Sequence, residues 1–292
     1  MSCSNLTDAI EDNSMSRRIV IGLDGSRHAA SALRMALRRA KQYGSTLIGV
    51  GIIDMPNIEP VDLGVYQGAI AVSAELSSEQ FNDAKQHAER LIAAFRTVCD
   101  ENGVAHEDII HSGPAFIGLR EEGKTADMII TGLRTFFKAR LGEQPDDTLR
   151  RLFDQPVCPV IAVPENLDLP QHMIFAYDGS PGAARALHAY LAVTPEMPAD
   201  LRVSLLCVSK NFERNKFHLE KAEVYLRAHG IESNILVRSG SPTEVILATA
   251  RELMPSLVIL GAPFYHGIAE RLFGSVTEAV IADGTIPVFV YH

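Results

Sequence analysis

The chain has 292 residues, of which 47% are hydrophobic and 22% are charged, and its formal net charge is −9. Length and composition predict a soluble globular protein with room for two domains of ordinary size. The acidic balance argues against general binding of nucleic acid or of an anionic membrane surface. No apolar run reaches the roughly 18 residues that a membrane-spanning helix needs. We therefore expect neither nucleic acid nor membrane among the partners.

The start of the chain, MSCSNLTDAIEDNSMSRR, is polar and lacks the apolar core of a secretory signal. We predict that residues 1–17 form a flexible tail. Four scattered cysteines, Cys3, Cys99, Cys158 and Cys207, include no C-x-x-C pair. Disulfides are not expected, and the predicted location is the reducing cytoplasm. No His/Cys cluster has the spacing of a metal site.

The first half alternates short apolar runs with helical patterns. RIVIGL, ending at Leu23, predicts a strand, and the next 17 or so residues have apolar positions on one helical face. Further elements are a strand over 46–54, a helix over 78–102, a strand over 105–111, a short helix after 113–114, a strand over 126–132, a helix near 146–153 and a strand over 159–164. Residues 55–78 contain Pro and Gly and are predicted to be an irregular insertion. This alternation predicts a doubly wound parallel sheet with helices on both faces.

The same order of elements starts again after a polar linker at 165–171. HMIFAYDGS repeats RIVIGLDGS, SLVILG matches ADMIITG, and PVFVYH matches PVIAVP. We therefore predict two tandem copies of one α/β domain, over 18–164 and 172–292.

The spacing between matching residues locates the main difference between the copies. Asp178 lies 154 residues after Asp24, whereas Gly261 lies 129 residues after Gly132. The first copy therefore carries 25 extra residues, and the 55–78 insertion accounts for nearly all of them.

A ligand of such a sheet binds beyond the carboxyl ends of the strands, where the strand order reverses. In each half the predicted reversal lies between an Asp-Gly-Ser turn (24–26 or 178–180) and a strand-end glycine (Gly132 or Gly261). In the second half Gly274-Ser275 opens a helix, whose amides and dipole favour phosphate. Either turn alone is more simply a turn with a helix cap. Together, at matching places, they favour a nucleotide site in the second half, where the aspartate accepts from a ribose hydroxyl or an exocyclic amine.

These motifs resemble the universal stress protein family in tandem form. The resemblance is carried by LDGS and YDGS, by the family's spacing between Gly261 and Gly274-Ser275, by VTEAV and by the closing PVFVY strand. It implies two five-stranded, doubly wound parallel sheets with a nucleotide-α-hydrolase-like, Rossmann-like fold. It also implies that the closing strands 159–164 and 287–292 pair as an intrachain pseudo-dimer, with a homodimer of the whole chain as a further option.

In the second half the resemblance implies bound ATP with Mg²⁺. Asp178 and Val208 would contact adenine or ribose, and the phosphates would be held by Gly261, Gly274, Ser275, Val276 and Thr277. Phe264 stands where the family motif has its second glycine. Its side chain would obstruct the phosphate path, unless the loop shifts so that His266 and Gly267 take over.

The first half departs further from the motif. Thr135 stands at the second glycine, and Asp146 and Asp147 stand where Gly-Ser should open the helix. These carboxylates suit a helix start and repel phosphate. We therefore do not expect Asp24 and Gly132 to bind ATP in the family's manner.

The function implied by the resemblance is a cytoplasmic stress protein, regulatory or protective, whose second half binds ATP or another adenine nucleotide. No Ser-His-Asp motif, Walker A motif or metal-spaced acidic pair is present. This predicts no fast enzyme and at most slow ATP hydrolysis. The alternative is a structural or interaction protein with degenerate pockets or a different small-molecule ligand. An adenylating enzyme is disfavoured because no S-G-G-x-D-S loop appears.

Overall fold

The structure is a computed structural model that describes residues 17–54, 67–137, 144–198, 200–209, 212–254, 256–261 and 275–291, with the backbone alone for 67–78 and 212–214. The first half contains β1 (Arg18–Leu23), α1 (Arg27–Tyr43), β2 (Thr46–Ile53), α2 (Gln67–Glu101), β3 (His106–Ser112), α3 (Ala115–Gly123), β4 (Met128–Gly132), α4 (Thr148–Asp154) and β5 (Val160–Val163). The second half contains β6 (His172–Ala176), α5 (Pro181–Val193), β7 (Arg202–Val208), α6 (Phe212–Ala228), β8 (Asn234–Arg238), α7 (Pro242–Glu252), β9 (Ser256–Gly261), α8 (Ser275–Asp283) and β10 (Val288–Tyr291).

The strands of both halves form one continuous sheet in the order β3-β2-β1-β4-β5-β10-β9-β6-β7-β8. Every pairing is parallel except that between β5 and β10, where Phe289 lies opposite Ile161. The order confirms the predicted reversal between the first and fourth strands of each half. It also confirms that the closing strands pair with each other within the chain.

The inner strands are mostly apolar on both sides because helices cover both faces of the sheet, whereas the edge strand β3 (HEDIIHS) is largely polar. Successive residues of β1 enter different cores: Ile19 and Ile21 belong to one buried cluster and Val20 to the other. The same alternation in β10 places Phe289 in the first cluster and Val288 in the second. Each core therefore runs through both halves.

The first helix of each half begins as the sequence predicts. Ser26 caps α1 by accepting from the Ala29 amide at 3.1 Å, and Ser180 caps α5 by accepting from the Ala183 amide at 3.2 Å. Helix α1 ends at Gly44, whose φ of 64° lies in the left-handed region that glycine tolerates. These caps fix where each helix leaves the end of its strand.

The predicted 55–78 insertion is corrected in part, since α2 begins at Gln67 and residues 67–78 are helical. This stretch, QGAIAVSAELSS, is rich in residues that favour helix and continues directly into the predicted helix. Residues 55–66 and the tail residues 1–16 lie outside the described residues. Arg17 was predicted to belong to the tail, but it is bonded to the folded domain. Its carbonyl accepts from the Thr46 amide, and its guanidinium donates to the Ala192 carbonyl.

The two halves also meet through α1 and the end of α5. Arg39 donates to the Val193 carbonyl at 2.8 Å and to the Thr194 hydroxyl at 3.0 Å. The Tyr43 hydroxyl donates to the Glu196 carbonyl at 2.8 Å. These bonds add a second junction to the one between β5 and β10.

Cys99, Cys158 and Cys207 are buried free thiols. Within the described ranges, no helix combines the length and the apolar character needed to cross a membrane.

Candidate functional site

A cavity of about 560 Å³ lies at the carboxyl ends of β6, β7 and β9, in the second half. Its volume falls within the roughly 300–1,000 Å³ typical of small-molecule sites. One wall is apolar and includes Ala176, Leu206, Val208 and Ile246. The other walls are the first turns of α5, α7 and α8. The cavity therefore offers an apolar slot next to three helix N-termini.

The cavity brings together every predicted site residue of the second half that the structure describes. These are Asp178, Val208, Gly261, Ser275, Val276 and Thr277. The remaining predicted residues, Gly274, Phe264, His266 and Gly267, lie outside the described residues. Residues from four separate stretches of the sequence thus line one volume.

Sequence reasoning missed other lining residues, among them Tyr177, Arg185, Pro242 and Ile246. Tyr177 lies between the end of β6 and Asp178, so the prediction of Asp178 as a site residue could have included it. Pro242 and Ile246 could have been predicted from the Gly-Ser-Pro turn at which α7 begins. Arg185 is an exposed residue of α5, and no motif marked it.

Asp178 lies in the turn between β6 and α5, where its carboxylate is exposed. One oxygen accepts from the Ser180 amide at 2.9 Å. Gly179 makes this turn with a φ of 81°. Burial, and secondarily the Asp178 charge, raises the pKa of the adjacent Tyr177 phenol, so this hydroxyl stays protonated at neutral pH.

Three helices start at the cavity because each follows a strand of a parallel sheet. The first turns of α7 and α8 lie close together, with the Thr243 and Ser275 hydroxyl oxygens 3.5 Å apart. The positive ends of these helix dipoles favour an anion in the space between them. The arrangement suits a ligand with an apolar ring and a negatively charged group.

Gly261 has a packing role that sequence reasoning did not reveal. A Cβ at this position would lie 2.2 Å from the Gly182 carbonyl carbon and 2.4 Å from the Ala183 amide nitrogen. Gly132 is confined in the same way by His28, whose Cβ would be 2.6 Å away. Each glycine is therefore required where the end of a strand meets the first turn of a helix, with or without phosphate.

The corresponding aspartate of the first half has a different environment. Asp24 is largely buried, and it accepts from the Ser26 amide and from the Phe136 amide, each at 2.8 Å. Burial raises the pKa of this carboxyl, and the hydrogen bonds oppose the rise. Asp24 is thus already occupied by the loop that follows β4.

Asp146 is similarly engaged at the start of α4. Its carboxylate accepts from the Thr135 hydroxyl at 2.6 Å, the Phe137 amide at 2.7 Å and the Thr148 amide at 2.9 Å. Asp147 stands at the N-cap position and makes no capping bond through its side chain. The predicted acidic start of this helix is therefore present, and Asp146 holds the loop.

A second cavity, of about 500 Å³, lies between α4 and α8. Arg150 and Glu278 line it and approach each other to 3.5 Å, so it is partly bridged by an ion pair between the halves. In the described parts of the chain, no group of three or more His, Cys, Asp or Glu side chains could hold a metal ion.

The comparisons with known proteins agree with this architecture. The family model of the universal stress protein family matches residues 15–164 and 208–292. Universal stress protein YxiE of Bacillus subtilis (strain 168) is 27% identical over 142 residues, covering 40% of this chain and 96% of that protein.

Two solved structures support the fold across both halves. A universal stress protein from Archaeoglobus fulgidus DSM 4304 matches with a TM-score of 0.71 at 18% identity, covering 94% of this chain and 98% of that one. A functionally unknown protein from Pseudomonas aeruginosa PAO1 matches with a TM-score of 0.57 at 17% identity, covering 95% and 92%. With two segments matched by the family model and the fold shared from end to end, the chain belongs to the universal stress protein family.

Proposed function

We propose that the second half binds an adenine nucleotide, ATP with Mg²⁺, and that the protein acts in the cytoplasm as a regulatory or protective stress protein. The observation that carries the proposal is the cavity in which Asp178, Val208 and Ser275 meet although they lie far apart in the sequence. Family membership supports the same reading.

The chemistry of the cavity supports a nucleotide better than a purely apolar ligand. Leu206, Val208 and Ile246 form a slot that suits a flat base, while Asp178 offers a carboxylate to ribose hydroxyls. The first turns of α7 and α8 offer backbone amides to phosphate. Asp178 is the acidic side chain of this lining, so Mg²⁺ would arrive coordinated mainly by the phosphates of ATP.

Isothermal titration of ATP-Mg into the whole chain tests the proposal directly. Asp178→Asn should weaken binding about 10- to 100-fold, because a hydrogen bond to a charged group contributes roughly 1.5–3 kcal/mol. Asp168→Asn, an exposed carboxylate of the linker, is the matched control and should leave the affinity unchanged. No binding of millimolar ATP-Mg by the unaltered chain would overturn the proposal.

A second variant examines the phosphate end of the site. Ser275 lies 129 residues after Asp146, the same offset as between Gly261 and Gly132. Ser275→Asp therefore copies the acidic helix start of the first half into the second. We expect ATP binding to be lost and adenosine binding to be retained, since adenosine carries no phosphate. Equal loss for both ligands would show that the phosphates do not lie at α8.

The second candidate function is that of a structural or interaction protein. It is favoured for the first half because the carboxylates of Asp24 and Asp146 are hydrogen-bonded to backbone amides of the chain itself. It becomes the reading for the entire chain if the titration shows no nucleotide binding.

A further inference from the structure

The side chain of Phe137 fills the part of the first half that corresponds to the apolar slot of the second. Phe137 is 6% exposed and belongs to the same buried cluster as Val50 and Leu119. Its Cζ atom lies 2.9 Å from the position that a Cβ on Gly22 would take, and a Leu119 methyl lies 3.3 Å from that position. The ring therefore rests on the β1 backbone at a glycine.

The repeat shows which residues of the second half stand at these places. Ala176 lies 154 residues after Gly22, and strand pairing sets Ala176 beside Leu206 as it sets Gly22 beside Val50. Leu119 follows Gly113 by six residues, as Ile246 follows Gly240. In the second half, Ala176, Leu206 and Ile246 line the open cavity. The Phe137 ring thus occupies the counterpart of that apolar slot.

The polar ends of the loop are satisfied within the chain as well. Asp24, the counterpart of Asp178, accepts from the Phe136 amide. Asp146, the counterpart of Ser275, accepts from the Phe137 amide and the Thr135 hydroxyl. The loop thus presents three groups that resemble the parts of a nucleotide. The Phe137 ring corresponds to the base, the Phe136 amide to a ribose hydroxyl that donates to the aspartate, and the Asp146 carboxylate to the negatively charged phosphate.

We propose that the loop Leu133–Phe137, together with Asp146, is an internal ligand of the first half and keeps closed a latent site for an aromatic base or nucleoside. The first half is then fixed in a permanently occupied state, and the proposed nucleotide site of the second half stays open to solution. Glycine at position 22 gives the ring its room, since any Cβ there would meet the Phe137 ring at 2.9 Å.

The test is to remove the ring and titrate the full-length chain with adenosine. Phe137→Ala should bind one more equivalent of adenosine than the unaltered chain, and its Tm should recover partly when adenosine is added. Adenosine is the appropriate probe because Asp146 still opposes a phosphate. The inference uses the proposed function only to choose this probe.

The binding stoichiometry separates the two proposals. If the unaltered chain binds no adenosine and Phe137→Ala binds one equivalent, the latent site stands and the second-half site fails. If both bind one equivalent, the second-half site stands and the internal-ligand inference is wrong.

Phe95→Ala is the matched control, because Phe95 is also buried and fills the space over a glycine. Its ring lies 2.6 Å from the position of a Gly49 Cβ, on the α2 side of the sheet. This variant should lose stability and gain no adenosine site. A gain in both variants would mean that any buried cavity accepts the ligand, which would overturn the inference.

A second variant keeps the test decisive if Phe137→Ala does not fold. Asp146→Asn preserves the side-chain shape and removes its charge. Hydrogen exchange at the Phe137 amide should become about tenfold faster, while amides inside β1 keep their protection. Unchanged exchange at Phe137 would show that Asp146 does not hold the loop, and the inference would fail.

Discussion

Replacing Gly261 with alanine tests whether this position is set by packing. The new Cβ would lie 2.2–2.4 Å from backbone atoms of Gly182 and Ala183, in the first turn of α5. Backbone in a capped helix cannot rotate away as a side chain can. Overpacking typically costs about 1–3 kcal/mol, and we expect the upper end, about 3 kcal/mol. At about 2 °C per kcal/mol for a large domain, Tm should fall by roughly 6 °C.

Urea denaturation of the variant and of a glycine control measures this cost. Gly51→Ala is suitable, because its Cβ would meet Ile92 at 3.2 Å and the Ala88 carbonyl at 3.5 Å. The smaller strain there is partly offset by the reduced freedom of the unfolded chain, about 0.4–1 kcal/mol. The Gly261 variant should therefore be much less stable than the Gly51 variant. Equal stability of the two, with ATP binding lost only in Gly261→Ala, would refute the packing argument.

Three further predictions concern buried groups. Burial of His172, and secondarily the Arg202 charge, lowers the pKa of this side chain below the ordinary 6.5. The unfolded chain therefore binds more protons than the folded chain, and the free energy of unfolding should fall as the pH drops below about 6.5. When Tm is measured against pH, His172→Gln should show a smaller decrease over this range. Burial raises the pKa of Cys99 to about 11 and of Cys158 to about 12; both thiols should resist iodoacetamide in the native state at pH 8 and react in urea, as mass spectrometry would show. Arg39→Ala should cost about 1–3 kcal/mol in urea denaturation, because the Thr194 hydroxyl stays buried without this donor.

Much of the fold follows from local patterns in the sequence. The apolar runs that end in Asp24 and Asp178 predict buried parallel strands, and Ser26 and Ser180 predict the helix starts that the structure shows. The alternation of strands and helices predicts where the strand order reverses in each half, whereas the pairing of β5 with β10 was implied by the family resemblance. Apart from that pairing, these features depend on residues that are neighbours in the sequence.

The state of the first half could not be predicted in the same way. The sequence shows that Asp146 is acidic, from which repulsion of phosphate follows. Its bonds to Thr135 and Phe137 depend on how a loop returns to the start of α4, and no periodicity encodes that path. The packing of Gly261 against Gly182 likewise requires knowing how closely a helix approaches a strand.

The early part of α2 was missed for a different reason. Residues 67–78 have no polar face to mark a surface helix, and the prolines before them suggested a loop. Helix propensity was the better guide there, because a strong helix beyond Ser78 extends readily through a stretch that contains three alanines and no proline.

The junction of β5 with β10 has a consequence for synthesis on the ribosome. Val163, at the end of β5, is made 125 residues before Val288, the first residue of β10. At about 5–20 residues per second, the nascent first half waits roughly 6–25 s for the strand that covers its edge. During that interval β5 is an unpaired apolar edge, which strands of other nascent chains can join. Fast translation or a chaperone that shields β5 should therefore raise the yield of correctly joined sheets.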